Sequence, residues 1–362
     1  MLTLKTRAIA RNLALAIIVV LLTLGLSAVT AQESEHALGD IPLDPVTYQK
    51  HLKARPEGEL LATLPATYDA RHQGLVTPPK NQGACGSCWA FASAGAMESH
   101  MLKQFGFGPT NLSEQQQVSC NTLMWGCDGG SSAALLYWGA KGPLYESCFP
   151  YTASDATRCT ENLCTQLDFH VVDWHTVPAT PEDFKYSLYT YGPSYWRYNV
   201  HSDFRDFWAW GDPGDVYVNS VSAYEGGHAV LLIGWNDYKQ AYLCKNSWGT
   251  GGPNNDGTFW IAYSGHANNL NFGMANFSLD APESLPQPPT NLTATAVPLW
   301  QINLSWTDNS NNETGFRIER RIGDSSWSTL DTVGANTTSY PDTGLTPETT
   351  YSYRVIAYNT YG

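Results

Sequence analysis

Apolar and polar positions along the chain fall into stretches of different periodicity. An apolar run from Leu13 to Leu26 follows Lys5, Arg7 and Arg11 and precedes Val29-Thr30-Ala31, so residues 1–31 read as a secretory signal peptide with a small-residue cleavage site. The run is about 14 residues, short of the ~20 that a spanning helix needs. From Gln32 to about Thr63 the chain is polar and broken by Pro42, Pro45, Pro56 and Gly58, a pattern of a short prosegment or linker over 32–63. Trp89, Ala90, Phe91, Ala92, Ala94, Ala96 and Met97 predict a buried helix from Cys88 to about Lys103. In NLSEQQQVSC, Ser113 stands as an N-cap with Gln116 at the third helical position, which predicts a second helix over 113–119. From about Val171 the runs FHVVDW, AVLLIGW, AYLCKNSW and TFWIAYS read as strands. After Asp280 comes a proline-rich linker over 281–287, then the alternating runs LTATAV, INLSW, FRIERRI, WSTL and YSYRVIAY, an all-β module over 288–362.

The 362 residues suit two unequal domains. A net charge of −13 argues against nucleic acid or an anionic membrane as partner, because both reward clustered Lys and Arg. No stretch after the first is long and apolar enough to cross a bilayer, so the chain is expected to be exported, extracellular, off the membrane once the signal is cleaved, and free to form disulfides.

Candidate chemistry centres on QGACGSCWAF, residues 82–91. It puts Cys88 where a helix begins, with Gly83 and Gly86 suited to the tight loop before it. A helix N-terminus beside an imidazolium stabilises the thiolate and lowers the thiol pKa. This stretch resembles the active-site segment of the papain family of cysteine peptidases. LPATYDARHQG resembles the start of that family's mature domain, GGHAVLLIGW carries His228, and LCKNSWGTGG carries Asn246 and Trp248, in the family's order.

The resemblance implies an α+β two-lobe fold over 64–280, a helical lobe carrying the nucleophile and a β-barrel-like lobe carrying the His and Asn. It implies Cys88 as nucleophile, His228 as proton carrier, Asn246 orienting the imidazole under the cover of Trp248, and the Gln82 amide with the Cys88 N–H as oxyanion hole. No metal or cofactor is implied. In CDGGSS, Gly129 and Gly130 match backbone positions that pair with an extended peptide substrate, and Ser131 and Ser132 follow where bulkier residues often line the main specificity pocket. That pocket, closed by Gly226 and Gly227, is expected to take a bulky apolar side chain. Gly227 also stands where the family usually has Asp or Asn before the histidine, and Gly252 where a second Trp is common.

The family pattern further implies bridges Cys85–Cys127 and Cys120–Cys159. Cys148 and Cys164 flank the second pair and are assigned to a third, which leaves Cys244 as a buried free thiol. Two rival readings are weaker. A redox dithiol at 85–88 needs a preceding strand, which Pro78-Pro79-Lys80 does not offer, and a zinc site at Cys148, Cys159 and Cys164 lacks a fourth ligand at normal spacing. His100, His175, His201 and His266 read as packing or surface residues.

The C-terminal module resembles a fibronectin type III domain, with Pro289, Leu292, Trp306 and a tyrosine corner at Leu345, Pro347 and Tyr351. Six of its strands are accounted for, so Thr350 to Tyr358 is expected to present an unpaired edge, in a truncated chain or one that borrows a strand. A spacer role, or attachment to a polysaccharide or cell surface, is expected of it. The functional reading is an exported cysteine endopeptidase acting on proteins or peptides through a thioester. The alternatives are an acyl transferase using another amine, and an adhesion protein that keeps the fold without activity.

Overall fold

A computed structural model describes residues 36–56, 64–280, 285–297, 300–323 and 325–359. The signal peptide assigned to residues 1–31 lies outside the described residues, as do parts of the 32–63 and 281–287 segments.

The first domain is built on two cores. Helix α1 (Pro45–Lys50) is capped by Asp44, whose carboxylate accepts from the Val46 and Thr47 amides at 3.1 and 3.0 Å. Helix α2 (Cys88–Phe105) is buried from Cys88 to Leu102, as its all-round small and apolar composition requires, and ends at Gly106 with φ 64°. Helix α3 (Glu114–Cys120) starts at Ser113, whose hydroxyl accepts from the Gln116 amide at 3.0 Å. With α4 (Tyr137–Ala140) these make the helical lobe, packed around Trp89, Met97, Met101 and Trp138.

Three disulfides staple this lobe: Cys85–Cys127, Cys120–Cys159 and Cys148–Cys164. Closing the first loop is worth about 4 kcal/mol on the chain-entropy account. The bridges occupy the three sulfurs of the rival zinc reading and one of the two in the redox reading, while Cys88 and Cys244 are free and buried.

The other lobe is an eight-stranded sheet in the order β2-β8-β3-β5-β6-β7-β4, with β1 on β5. Its strands are β1 (Thr67–Asp69), β2 (His170–Val177), β3 (Ser194–His201), β4 (Val216–Tyr217), β5 (Tyr224–Asn236), β6 (Ala241–Lys245), β7 (Thr258–Ala262) and β8 (Gly273–Asp280). All pairs are antiparallel except β4–β7. An aromatic core of Phe184, Trp196, Tyr198, Phe204, Tyr242 and Phe259 fills it. Two helices cross this half of the chain, α5 (Pro181–Tyr191) and α6 (Asp203–Trp210). Helix α2 packs over β5 and β3, which sets Cys88 opposite the strand that carries His228.

The second domain is a sandwich of two antiparallel three-stranded sheets. One is β13-β10-β9, from β9 (Thr290–Val297), β10 (Gln301–Thr307) and β13 (Ser339–Thr343). The other is β12-β11-β14, from β11 (Gly315–Ile322), β12 (Ser328–Gly334) and β14 (Tyr351–Tyr358). Leu304, Trp306, Phe316 and Ile318 form its core, and the Thr346 amide donates to the Tyr351 hydroxyl at 3.1 Å, closing the tyrosine corner. Strand β14 is an outer strand among the described residues. Its Arg354 and Ile356 turn away from the sandwich core and meet the first domain at the Gly74 carbonyl and at Gly106.

Candidate active site

Cys88 is the first residue of α2, and Ser87, at the N-cap position, spends its hydroxyl on Tyr151 at 2.6 Å rather than on the helix. His228 lies on β5, opposite Tyr198 of β3. Asn246 follows β6 directly. The His228 Nε2–H donates to Asn246 Oδ1 at 2.8 Å, and the Ser247 amide donates to the same oxygen at 2.8 Å. His228 Nδ1, buried, makes no hydrogen bond among the described residues, so the ring nitrogen not committed to Asn246 is free for proton transfer. The Ala229 amide points at Cys88 Sγ at 3.5 Å. Trp248 covers the imidazole with ring centroids 4.9 Å apart. Gln82 is held from behind: its Oε1 accepts from Ser247 Oγ at 2.6 Å, and its backbone carbonyl accepts from Tyr151 at 2.8 Å. The four residues marked for chemistry therefore converge on one cleft, from the helical lobe (Gln82, Cys88) and from the strand lobe (His228, Asn246).

The cleft is filled by the chain itself. Residues 36–41 run through it as an added strand. The Ile41 amide donates to Gly130 O at 2.7 Å, the Gly130 amide to Gly39 O at 2.9 Å, and the Asp40 amide to Gly227 O at 3.1 Å. This is parallel pairing centred on Asp40 and Gly130. The Gln82 Nε2–H, expected to face an oxyanion, donates instead to Ala37 O at 2.8 Å and to Cys85 O at 2.9 Å. His36 stacks flat on Trp248, with centroids 5.1 Å apart. Gly39 approaches so closely that a Cβ there would lie 1.7 Å from Gly86 O, and one on Gly130 would lie 2.5 Å from the Trp89 ring. Beyond the cleft, α1 ties the segment to the strand lobe, where Tyr48 donates to Val177 O at 2.6 Å. Gly129 does not pair with the segment; its amide and carbonyl close the turn at Trp125 and Gly126.

This occupancy reverses the electrostatics expected of Cys88. The helix start is where the sequence put it, but burial pushes the thiol up to about 12, with the negative charge of Asp40 adding to the effect. Burial likewise lowers His228 to about 4, against the support of Asn246 and with Arg205 and His36 opposing a positive ring. In this closed arrangement both groups are held neutral.

Ser131 and Ser132 line a cavity of about 470 Å³ together with residues between 40 and 49, from the segment and α1, and Gly226 and Gly227 are not part of its lining. Its polarity was not foreseen. Besides small and apolar residues, Arg197 and Tyr195 of β3 line it, and both bind the Asp40 carboxylate. The signal was present: one arginine stands in SYWRYNVH, a strand whose other residues are buried apart from Asn199. His36, Asp40 and Arg205 were also missed. Arg205 lies over the Trp248 ring at 5.7 Å and donates to His36 O at 3.2 Å.

Residues 64–278 match the family model of the papain family cysteine proteases, and residues 287–362 that of the fibronectin type III domain. The chain is 36% identical over 199 residues to a thiol protease, aleurain, of Arabidopsis thaliana, covering 52% of this chain and 53% of that one. It is 33% identical over 215 residues to procathepsin L of Mus musculus, covering 56% and 62%. Among solved structures it resembles the digestive procathepsin L2 proteinase of Tenebrio molitor larval midgut, with TM-score 0.54 and 29% identity over 69% of this chain and 81% of that one. The chain thus spans 53% to 62% of the length of these two curated relatives.

Proposed function

The chain belongs to the papain family of cysteine proteases, and from that membership we propose that it is an exported cysteine endopeptidase, held latent by its own residues 36–41. The observation that carries the reading is the convergence of Cys88, the His228–Asn246 pair and the Gln82 amide on a groove already engaged with an extended strand. Once the segment leaves, water reaches the cleft and the Asp40 charge departs. The proton of Cys88 can then pass to His228 Nδ1, giving thiolate and imidazolium. The thiolate attacks the substrate carbonyl carbon, and the oxyanion takes the place of Ala37 O at the Gln82 Nε2–H, with the Cys88 amide as second donor. His228 gives its proton to the leaving amine as the C–N bond breaks, which leaves a thioester on Cys88. Water, deprotonated by the now neutral imidazole, attacks that thioester and releases the acid. Asn246 accepts from Nε2 throughout and fixes which nitrogen faces the thiol.

Three disulfides in one lobe support an oxidising compartment, in line with the export reading. Among the described residues no helix is long and apolar enough to cross a membrane. The fibronectin type III module serves in this reading as a spacer or as an attachment to polysaccharide or cell surface.

Gln82→Ala tests the oxyanion assignment. In activated protein it is expected to lower kcat by about 10²- to 10³-fold with little change in KM, because one donor is lost at the charge that develops only in the transition state. Steady-state kinetics on a peptide substrate decide it, and an unchanged kcat removes Gln82 from the mechanism.

A further inference from the structure

We propose that the pocket beside Gly130 selects a carboxylate side chain two residues before the scissile bond, with Arg197 as the residue that determines this specificity. The inference rests on the peptidase reading above and names its substrate class.

Arg197 is buried, 9% exposed, between Trp196 and Tyr198 on β3. Its guanidinium is aimed into the pocket. Nε donates to Asp40 Oδ2 at 2.5 Å, Nη1 to Asn271 O at 2.6 Å and Nη2 to Asn199 Oδ1 at 3.1 Å. Tyr195 adds a hydroxyl to the other carboxylate oxygen, Oδ1. Among the described residues Asp40 is the only carboxylate that pairs with Arg197. The Asp40 backbone holds the strand position opposite Gly130 and Gly227, so its side chain enters the space that a substrate side chain in that register would take.

When the segment leaves, the positive charge of Arg197 stays where it is, fixed by two neutral acceptors and without a counter-charge. With the segment gone the guanidinium is hydrated; an apolar guest would strip that water and leave the charge unpaired, whereas an acidic guest restores the pair and the Tyr195 hydrogen bond. With the segment in place a cavity of about 470 Å³ lies beside Asp40, between the segment's own Ile41, with the Leu43 and Tyr48 that follow it, and the domain's Ser132, Phe272 and Met274, so on the domain side there is unfilled space for glutamate as well as aspartate. An arginine or lysine guest would meet Arg197 as a like charge. Occupation by Asp40 and selection of acidic substrates are then two uses of one site: the chain inhibits itself with the side chain the pocket recognises.

The test uses the full chain carrying Gly39→Leu and Asp40→Ala, which opens the cleft and removes the internal carboxylate. Alkylation of Cys88 confirms that the cleft is open. Fluorogenic peptides identical except for Glu, Asp, Leu or Arg two residues before the cleaved bond are compared by kcat/KM. The Glu or Asp peptide is expected to exceed the Leu peptide by about 10- to 100-fold, the range of a hydrogen bond to a charged group. Adding Arg197→Leu is expected to reverse that order, and Arg197→Lys, which keeps the charge without the fork, to retain only part of it. A preference for Leu, or an acidic preference unchanged by Arg197→Leu or by Arg197→Lys, overturns the inference and leaves the peptidase reading standing. Failure to cleave any of the peptides, with Cys88 freely alkylated, overturns the peptidase reading itself.

Discussion

In the full chain opened by Gly39→Leu, Cys88→Ser is expected to leave the fold and the three disulfides intact and to lower peptide hydrolysis by about 10⁴- to 10⁶-fold in kcat/KM, the scale on which a nucleophile acting as a unit with its base is lost. The serine is nearly isosteric, and the site is already packed: Cys88 is fully buried at the start of α2. Only the chemistry changes. A hydroxyl beside His228 lacks the acidity and polarisability by which a thiol gives up its proton to an imidazole at neutral pH. Far-UV circular dichroism and thermal unfolding should match the parent within about 1 kcal/mol, the cost typical of a conservative change. Retention of more than a few per cent of activity in a folded Cys88→Ser protein removes Cys88 from the mechanism.

Gly39→Leu is expected to have the second largest effect, and in the opposite direction. A Cβ at position 39 would sit 1.7 Å from Gly86 O, which is backbone and tied by its amide to Cys127 O at 3.1 Å next to the Cys85–Cys127 bridge. Neither side can yield, so the segment must lift. Lifting it rehydrates Cys88 and withdraws Asp40, the two causes that push the thiol up to about 12. A raised thiol pKa means that thiolate is absent at neutral pH and appears only as pH climbs. In the intact chain, alkylation of Cys88 by iodoacetamide should be slow at pH 7 and rise about tenfold per pH unit to pH 10. In Gly39→Leu it should be about 10³-fold faster at pH 7 and nearly flat above it. Peptide mapping separates Cys88 from the buried Cys244. Equal rates and parallel pH profiles in the two proteins would show that residues 36–41 do not govern the thiol.

Much of this site could be read from local sequence because its parts announce themselves over short stretches. Ser113 and Gln116 signal the start of α3, and the all-round apolar run after Cys88 signals a helix buried on every side. Helix α5 carried a similar signal that the strand-rich reading passed over. Thr180 caps the Asp183 amide at 3.1 Å and Pro181 opens the first turn. What could not be read is what comes together only in the fold. Residues 36–41 look like a polar linker, because their hydrogen bonds go to Gly130, Gly227 and Gln82, which lie 45 or more positions away in the chain. The direction of the thiol shift followed the same blind spot: a helix start lowers a thiol pKa in water, and here a strand laid over it excludes the water. Arg197 is the one arginine or lysine in SYWRYNVH, but its partner Asp40 is 157 residues away.

Cleavage of peptide bonds by this chain runs, in the proposed mechanism, through a thioester on Cys88. Rapid mixing of the opened full chain with an activated acyl ester, followed by acid quench and intact mass spectrometry, reads it directly. An adduct of one acyl group per chain is expected, formed in a burst and mapped to Cys88. Turnover of the ester with no adduct, or with the acyl group mapped to another side chain, would contradict that mechanism.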